Sequence, residues 1–151
     1  MTKDAQKYEG SLRSAVEFAK AGKIEEWVHK YLLSDGNNKA FSDGLALCKR
    51  YYLGPIEMPC SLLCRCCGPE DNMKFRVNEG GFERKVSALM SAIDRGNDLP
   101  PIIVNYADRE LTINDGNHRF EAYTRLGISK CYAIIWTSSE DDMSEFEAKY
   151  K

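Results

Sequence analysis

Five consecutive residues, Asp115-Gly116-Asn117-His118-Arg119, bring together a carboxylate, a glycine, an amide, an imidazole and a guanidinium. The residues before them, Glu110 to Ile113, read as a strand, and the apolar spacing after them reads as a helix. The run therefore falls where a strand passes into a helix. The first turn of a helix leaves backbone N–H groups unpaired and pointing outward, where an anion can take them. Gly116 lets the chain bend sharply and approach a ligand, and His118 and Arg119 add side-chain donors, Arg119 with a fork suited to phosphate oxygens. Gly116, Asn117, His118 and Arg119 are accordingly candidate phosphate ligands. Asp115 is the candidate catalytic group, because a carboxylate beside bound phosphate can hold Mg²⁺ or accept a proton from an attacking hydroxyl. The competing reading is structural: Asp115 and Asn117 as turn and cap residues, His118 as a first-turn residue and Arg119 as a surface charge.

The elements that must position this turn can be read along the chain. Leu12, Ala15, Val16 and Ala19 share one helical face that stops at Gly22, and Ile24, Trp27, Val28, Tyr31 and Leu32 form the stripe of a second helix. That helix breaks at Ser34-Asp35-Gly36-Asn37-Asn38, and Ser42 is expected to cap a third helix through Tyr51. Gly54-Pro55 marks a boundary before a short strand, Ile56 to Met58, limited by Pro59. Ser61 to Gly81 reads mostly as loop with one helical turn, Gly68-Pro69 and Gly80-Gly81 acting as breakers. Phe82, Val86, Leu89, Met90 and Ile93 then repeat at helical spacing up to Gly96. The apolar run Leu99 to Val104 and the segment Glu110 to Ile113, joined through Ala107-Asp108-Arg109, predict a hairpin. A helix from Asn117 stopping at Gly127, a strand from Cys131 to Trp136 and a last amphipathic helix after Ser138 complete the pattern.

Length and composition bound the classes open to the chain. One domain is the default for 151 residues, and 43% hydrophobic with 29% charged residues is a globular balance. No run reaches transmembrane length, and the charged N-terminus lacks a secretory signal, so a cytoplasmic protein without a membrane partner is expected. A net charge of −2 supplies no basic field for non-specific attachment to nucleic acid, which argues against that partner. Four of the six cysteines, Cys60, Cys64, Cys66 and Cys67, crowd into eight residues; this suits reduced thiols, and adjacent Cys66-Cys67 fits poorly with the paired spacing of zinc sites, so no metal is assigned to them. His29, beside the apolar stripe of the second helix, and Trp27, Tyr31 and Trp136, in stripes or strands, receive no function.

The segment Pro100-Pro101-Ile102-Ile103-Val104, the hairpin, Asp115 to Arg119 and then Glu121-Ala122-Tyr123 leading to Leu126-Gly127 resembles the shared core of the ParB/sulfiredoxin superfamily, over about Leu53 to Trp136. The resemblance implies a nucleotide phosphate at the turn. Sulfiredoxins carry Gly-Cys-His-Arg there, and Asn117 in place of the cysteine argues against sulfinic acid reduction. ParB proteins carry a Gly-Glu-Arg-Arg-type turn followed by a helix-turn-helix domain, for which no residues remain after Trp136. The nearest motif is the Asp-Gly-His-His-Arg of the ADP-dependent free-serine kinases. By that resemblance Asp115 is catalytic and an upstream glutamate joins it, with Glu70 in Cys67-Gly68-Pro69-Glu70-Asp71 as first choice and Glu57 as runner-up.

The expected fold is thus α/β (α+β), a small mixed sheet flanked by helices, with residues 1–52 as a helical segment packed on a ParB/sulfiredoxin-like domain of residues 53–151. The expected function is binding of ATP, ADP or another nucleotide, with Mg²⁺, and transfer of a phosphoryl group to a small hydroxyl-bearing acceptor. Two alternatives stand beside it: a ParB-like DNA-binding or nuclease protein, and a non-catalytic nucleotide sensor.

Overall fold

A computed structural model describes residues 7–151, so Met1 to Gln6 of the expected helical segment lie outside the described residues. Three short helices come first: α1 (Leu12–Lys20), α2 (Ile24–Leu32) and α3 (Lys39–Ala46). The Ser11 hydroxyl caps α1 by accepting from the Ser14 amide, and Gly22 ends the turn after it at φ 75°, a left-handed conformation that favours glycine. The third helix departs from expectation. Asn38, not Ser42, caps it, its side chain accepting from the Phe41 amide at 3.2 Å, and Ser42 lies buried inside the helix at 2.6 Å from His29 Nδ1. The helix also ends at Ala46, because Tyr51 already belongs to a strand.

That strand, β1 (Tyr51–Pro59), runs through Gly54-Pro55 instead of starting after it, since a register shift between Leu53 and Ile56 absorbs the proline while pairing resumes on both sides. A single 3₁₀ turn (Cys60–Leu62) leads into three two-residue strands, β2 (Cys64–Arg65), β3 (Cys67–Gly68) and β4 (Phe75–Arg76). Gly80 and Gly81 do not break the chain. They occupy the first turn of α4 (Glu79–Asp94), where Asn78 accepts from the Gly81 amide and propensity matters least. Then follow β5 (Ile102–Ala107), β6 (Glu110–Asp115), α5 (Asn117–Arg125), β7 (Lys130–Thr137) and α6 (Glu140–Tyr150). Asp108 and Arg109 take positive φ between β5 and β6, the geometry of a tight two-residue hairpin.

The main sheet has the order β1-β7-β5-β6-β2, with β5 and β7 parallel at its centre; β1 pairs antiparallel with β7 and β6 antiparallel with β5, so the sheet is mixed. Alternation along the central strands feeds two cores. Ile102, Val104, Ala133 and Ile135 face a cluster with Phe120, Met143 and Phe146 of α5 and α6, whereas Ile103 and Ile134 face Ala15, Phe18, Trp27, Val28 and Leu32 of the N-terminal helices. Helix α4 lies outside both, against α5 through Phe82, Val86 and Ala122, and the distal half of its stripe, Leu89 to Ile93, is only partly covered. Among the described residues no helix is long and apolar enough to cross a membrane.

Trp27 tests how far the N-terminal helices belong to the rest. It is fully buried, stacks on Tyr31 with ring centroids 5.1 Å apart, and its indole N–H donates to the Glu9 carbonyl. Trp27→Ala is expected to cost about 3–5 kcal/mol, with residues 7–52 and 53–151 unfolding in one transition. Chemical denaturation followed by circular dichroism checks this, and a separate early transition would contradict it.

Candidate functional site

Strand β6 ends at Asp115 and α5 begins at Asn117, so the turn lies at the expected strand-to-helix junction. Gly116 makes the junction at φ 99°; a Cβ there would sit 2.5 Å from Ile102 Cγ2 and 2.8 Å from an Arg119 nitrogen, so both the backbone and the space require glycine. Among the described residues no side chain caps α5. The first bond the helix makes back to the junction is from the Phe120 amide to the Gly116 carbonyl, at 2.8 Å. The amides of Asn117, His118 and Arg119 are therefore the outward-facing donors of a nine-residue helix. The residues of the turn, Asp115 to Arg119, all line a cleft of about 970 Å³.

The side chains of the turn divide their work differently from expectation. Arg119 does not reach into the cleft as a free fork. It is 9% exposed, donating to the Tyr31 hydroxyl at 2.9 Å, the Pro101 carbonyl at 3.2 Å and Asp115 Oδ2 at 3.3 Å, while its Nε is buried without a partner among the described residues. Burial works against its charge, but Tyr31 and Asp115 outweigh that and hold its pKa above the ordinary arginine value. Burial in turn pushes the Tyr31 phenol up to about 12, so it stays protonated beside the guanidinium. Asn117 is also turned inward and is 5% exposed. Its Oδ1 accepts from the amides of Cys66 and Cys67 at 2.9 and 3.3 Å and its Nδ2 donates to the Ile113 carbonyl, stitching the short strands β2 and β3 to β6. What Asn117 and Arg119 offer a ligand is chiefly their backbone.

His118 is half-buried with its ring 4.9 Å from that of Phe82. Burial, then the nearby Lys85, Arg119 and Arg65, hold its pKa below the usual histidine value, so the ring is neutral at pH 7. Two cations that spacing gave no reason to single out, Lys74 before β4 and Lys85 on α4, line the cleft, and neither joins an ion pair among the described residues. Tyr31, Asp35 and Phe41 line it from the N-terminal helical segment. Sequence carried no signal for these, since Tyr31 reads as one more core stripe residue and meets Arg119 across 88 positions of chain.

Glu70 does not join Asp115. It lies outside the cleft lining, its carboxylate gripped by Arg65, whose hydrogen bonds hold its pKa below the usual carboxylate range. Arg65 continues to Glu121 at 3.4 Å, Glu121 to Arg125 and Arg125 to Glu83, so Glu70 ends a surface ion-pair chain. Glu57, on β1 opposite Tyr132, is outside the cleft as well. All six thiols are unbridged, and among the described residues no group of three or more histidines, cysteines or carboxylates could hold a metal ion. Cys66 is spent on a hydrogen bond to the Ile113 carbonyl, at 2.9 Å.

The model of the ParB N-terminal domain matches residues 72–148, half of the chain and the part that holds the turn. The chain belongs to this family. Its solved structural neighbours include the sulfiredoxin from Arabidopsis thaliana, 26% identical with a TM-score of 0.44 over 60% of this chain and 92% of that one. Another is the C-terminally truncated chromosome-partitioning protein ParB from Caulobacter crescentus, complexed with CTP-gamma-S, 21% identical with a TM-score of 0.45 over 66% of this chain and 54% of that one. A third, a Pnob8-like ParB-N domain, is 12% identical with a TM-score of 0.42 over 68% of this chain and 39% of that one. The chain thus spans about half or less of the two ParB proteins. No curated protein matches it. The expectation against nucleic acid finds no support in this family membership.

Two substitutions separate structural from ligand-binding roles within the turn. Arg119→Met is expected to cost about 3–5 kcal/mol of folding stability by leaving Asp115 without its buried partner, and Asn117→Ala about 1–3 kcal/mol by leaving two amides unpaired. Denaturant titration measures both, and a neutral result for either would return that side chain to the list of direct ligands.

Proposed function

We propose that the cleft binds the phosphate chain of a nucleotide on the amides of Asn117, His118 and Arg119. One observation carries the reading: α5, uncapped among the described residues, begins at a cleft large enough for such a ligand and lined by two lysines, Lys74 and Lys85, that have no carboxylate partner among the described residues. Membership in the ParB N-terminal domain family is in keeping with it. The amides would hold the phosphate nearest the turn, and the lysines would neutralise the rest. His118, neutral in the free protein, would gain a proton against the bound anion, so affinity should rise as pH falls toward the ordinary histidine range.

Phosphoryl transfer is the finer form of this proposal and rests on Asp115. Arg119 fixes the orientation of its carboxylate through Oδ2, at 3.3 Å, at the edge of the cleft. A single carboxylate fits Mg²⁺ as that ion is usually held beside phosphates, by one or two protein oxygens with the phosphates supplying others. The acceptor would be a small hydroxyl-bearing molecule. With Glu70 tied to Arg65, a kinase step would depend on Asp115 alone among the two carboxylates first considered.

The test is a thermal-shift and calorimetric panel of ATP, ADP, CTP and GTP with and without Mg²⁺, because a ligand that binds the folded state alone raises its melting temperature. At least one nucleotide should bind, and Lys74→Ala and Lys85→Ala should each weaken it roughly three- to tenfold. Asp115→Asn should leave metal-free binding largely intact while abolishing any transfer to pooled hydroxyl-bearing metabolites. Binding without turnover would make the protein a nucleotide sensor. Absence of nucleotide binding together with steeply salt-dependent affinity for DNA would replace the proposal by the nucleic-acid alternative.

A further inference from the structure

The cleft is far larger than a phosphate group, and one of its walls lies outside the family-matched residues 72–148. That wall comes from the loop after α2 and from α3, and it carries Asp35 and Phe41. Their chemistry differs from that of the turn. Asp35 is a hydrogen-bond acceptor of negative charge, fixed in place by the Tyr8 hydroxyl, which donates to its Oδ2 at 2.7 Å. A phosphate would be repelled there, whereas hydroxyl and amino groups would be welcomed as donors. Phe41 is partly buried, its ring 6.1 Å from that of Trp136, and presents an aromatic surface to the cleft. On another side β4 contributes Phe75, which is 57% exposed, with the Lys74 ammonium 5.4 Å from its ring centroid. An exposed phenylalanine on the wall of a cleft is a surface on which a planar ring can stack.

We infer that the N-terminal helical segment is the specificity wall of this site, the nucleoside end of the nucleotide lying against it with its hydroxyl or amino groups donating to Asp35 and its base stacking on Phe41 of that wall or on Phe75 of β4. This rests on the phosphate reading of the turn and adds to it the recognition of the other end. A phosphorylated small acid would meet Asp35 with like charge, and inorganic polyphosphate would leave both aromatic surfaces uncovered.

The experiment compares ATP, CTP and inorganic triphosphate by calorimetry on the full chain, the parent protein beside Phe41→Leu, Phe75→Ala and Asp35→Asn. The parent should bind one nucleotide at least about tenfold more tightly than triphosphate. Substitution of the ring that carries the base should remove most of that preference, roughly tenfold, with triphosphate affinity unchanged. Asp35→Asn should weaken the nucleotide and leave triphosphate equal or tighter, a divergence that general damage to the fold would not produce. Phe41→Leu keeps the bulk that packs on the core; should it nevertheless unfold, Phe75 and Asp35 are exposed and their variants carry the test. If triphosphate binds the parent as tightly as both nucleotides, or if every variant weakens all three ligands alike, the specificity wall is wrong while the phosphate site stands. If none of the three binds, the phosphate reading fails and this inference falls with it.

Discussion

The buried guanidinium of Arg119 is the constraint on which the rest of the site depends. It joins three parts of the chain that are distant in sequence: Tyr31 on α2, the Pro101 carbonyl leading into β5, and Asp115 at the end of β6. A charge at 9% exposure is stable only when its partners remain in place, since removing one partner of a buried pair strands the other. The N-terminal helices, the central sheet and the turn are thereby tied at one point. The same arrangement turns the largest side chain of the junction inward, and Asn117 follows it. The α5 terminus is left open to the cleft with backbone donors in front and no cap across them.

Around that open end the charges are sorted. Among the described residues Lys74 and Lys85 line the cleft without carboxylate partners, while Arg65, Arg125, Glu70, Glu83 and Glu121 neutralise one another in an ion-pair chain. The two lysines give an anion a direction of approach toward the turn even though the whole chain carries a net charge of −2. Asn117 makes a second connection: by accepting from two consecutive amides it holds Cys66, between β2 and β3, and Cys67, the first residue of β3, at the cleft. The cysteines of this segment are thereby packing and lining residues, Cys66 committed to the Ile113 carbonyl.

Much of the fold was legible from periodicity, and the reasons are local. Strong stripes in α1, α2 and α4, the hairpin turn at Asp108-Arg109 and the junction at Gly116 all express short-range rules of spacing and backbone freedom. Where the reading failed, a tertiary partner decided. Ser42 looked like a cap but is spent on His29, Tyr51 looked like the end of a helix but pairs with Thr137 of β7, and Gly80-Gly81 looked like breakers but enter a helix through Asn78. The site followed the same division. The Asp115 to Arg119 turn was legible because its chemistry is contiguous, but the inward orientation of Arg119 and Asn117 was not, because the groups that claim them lie 88 and about 50 residues away. Glu70 was chosen by position along the chain, and Arg65, five residues earlier, holds it elsewhere.

The central claim is that the open amides of α5 are the phosphate-binding element, and amide-resolved nuclear magnetic resonance tests it most directly. On titration of the full chain with ATP and CTP, the backbone amides of Asn117, His118 and Arg119 should move downfield together and saturate at one dissociation constant, as expected for N–H groups that gain a charged acceptor. Saturable shifts confined to other surfaces, with these three amides unmoved, would contradict the account.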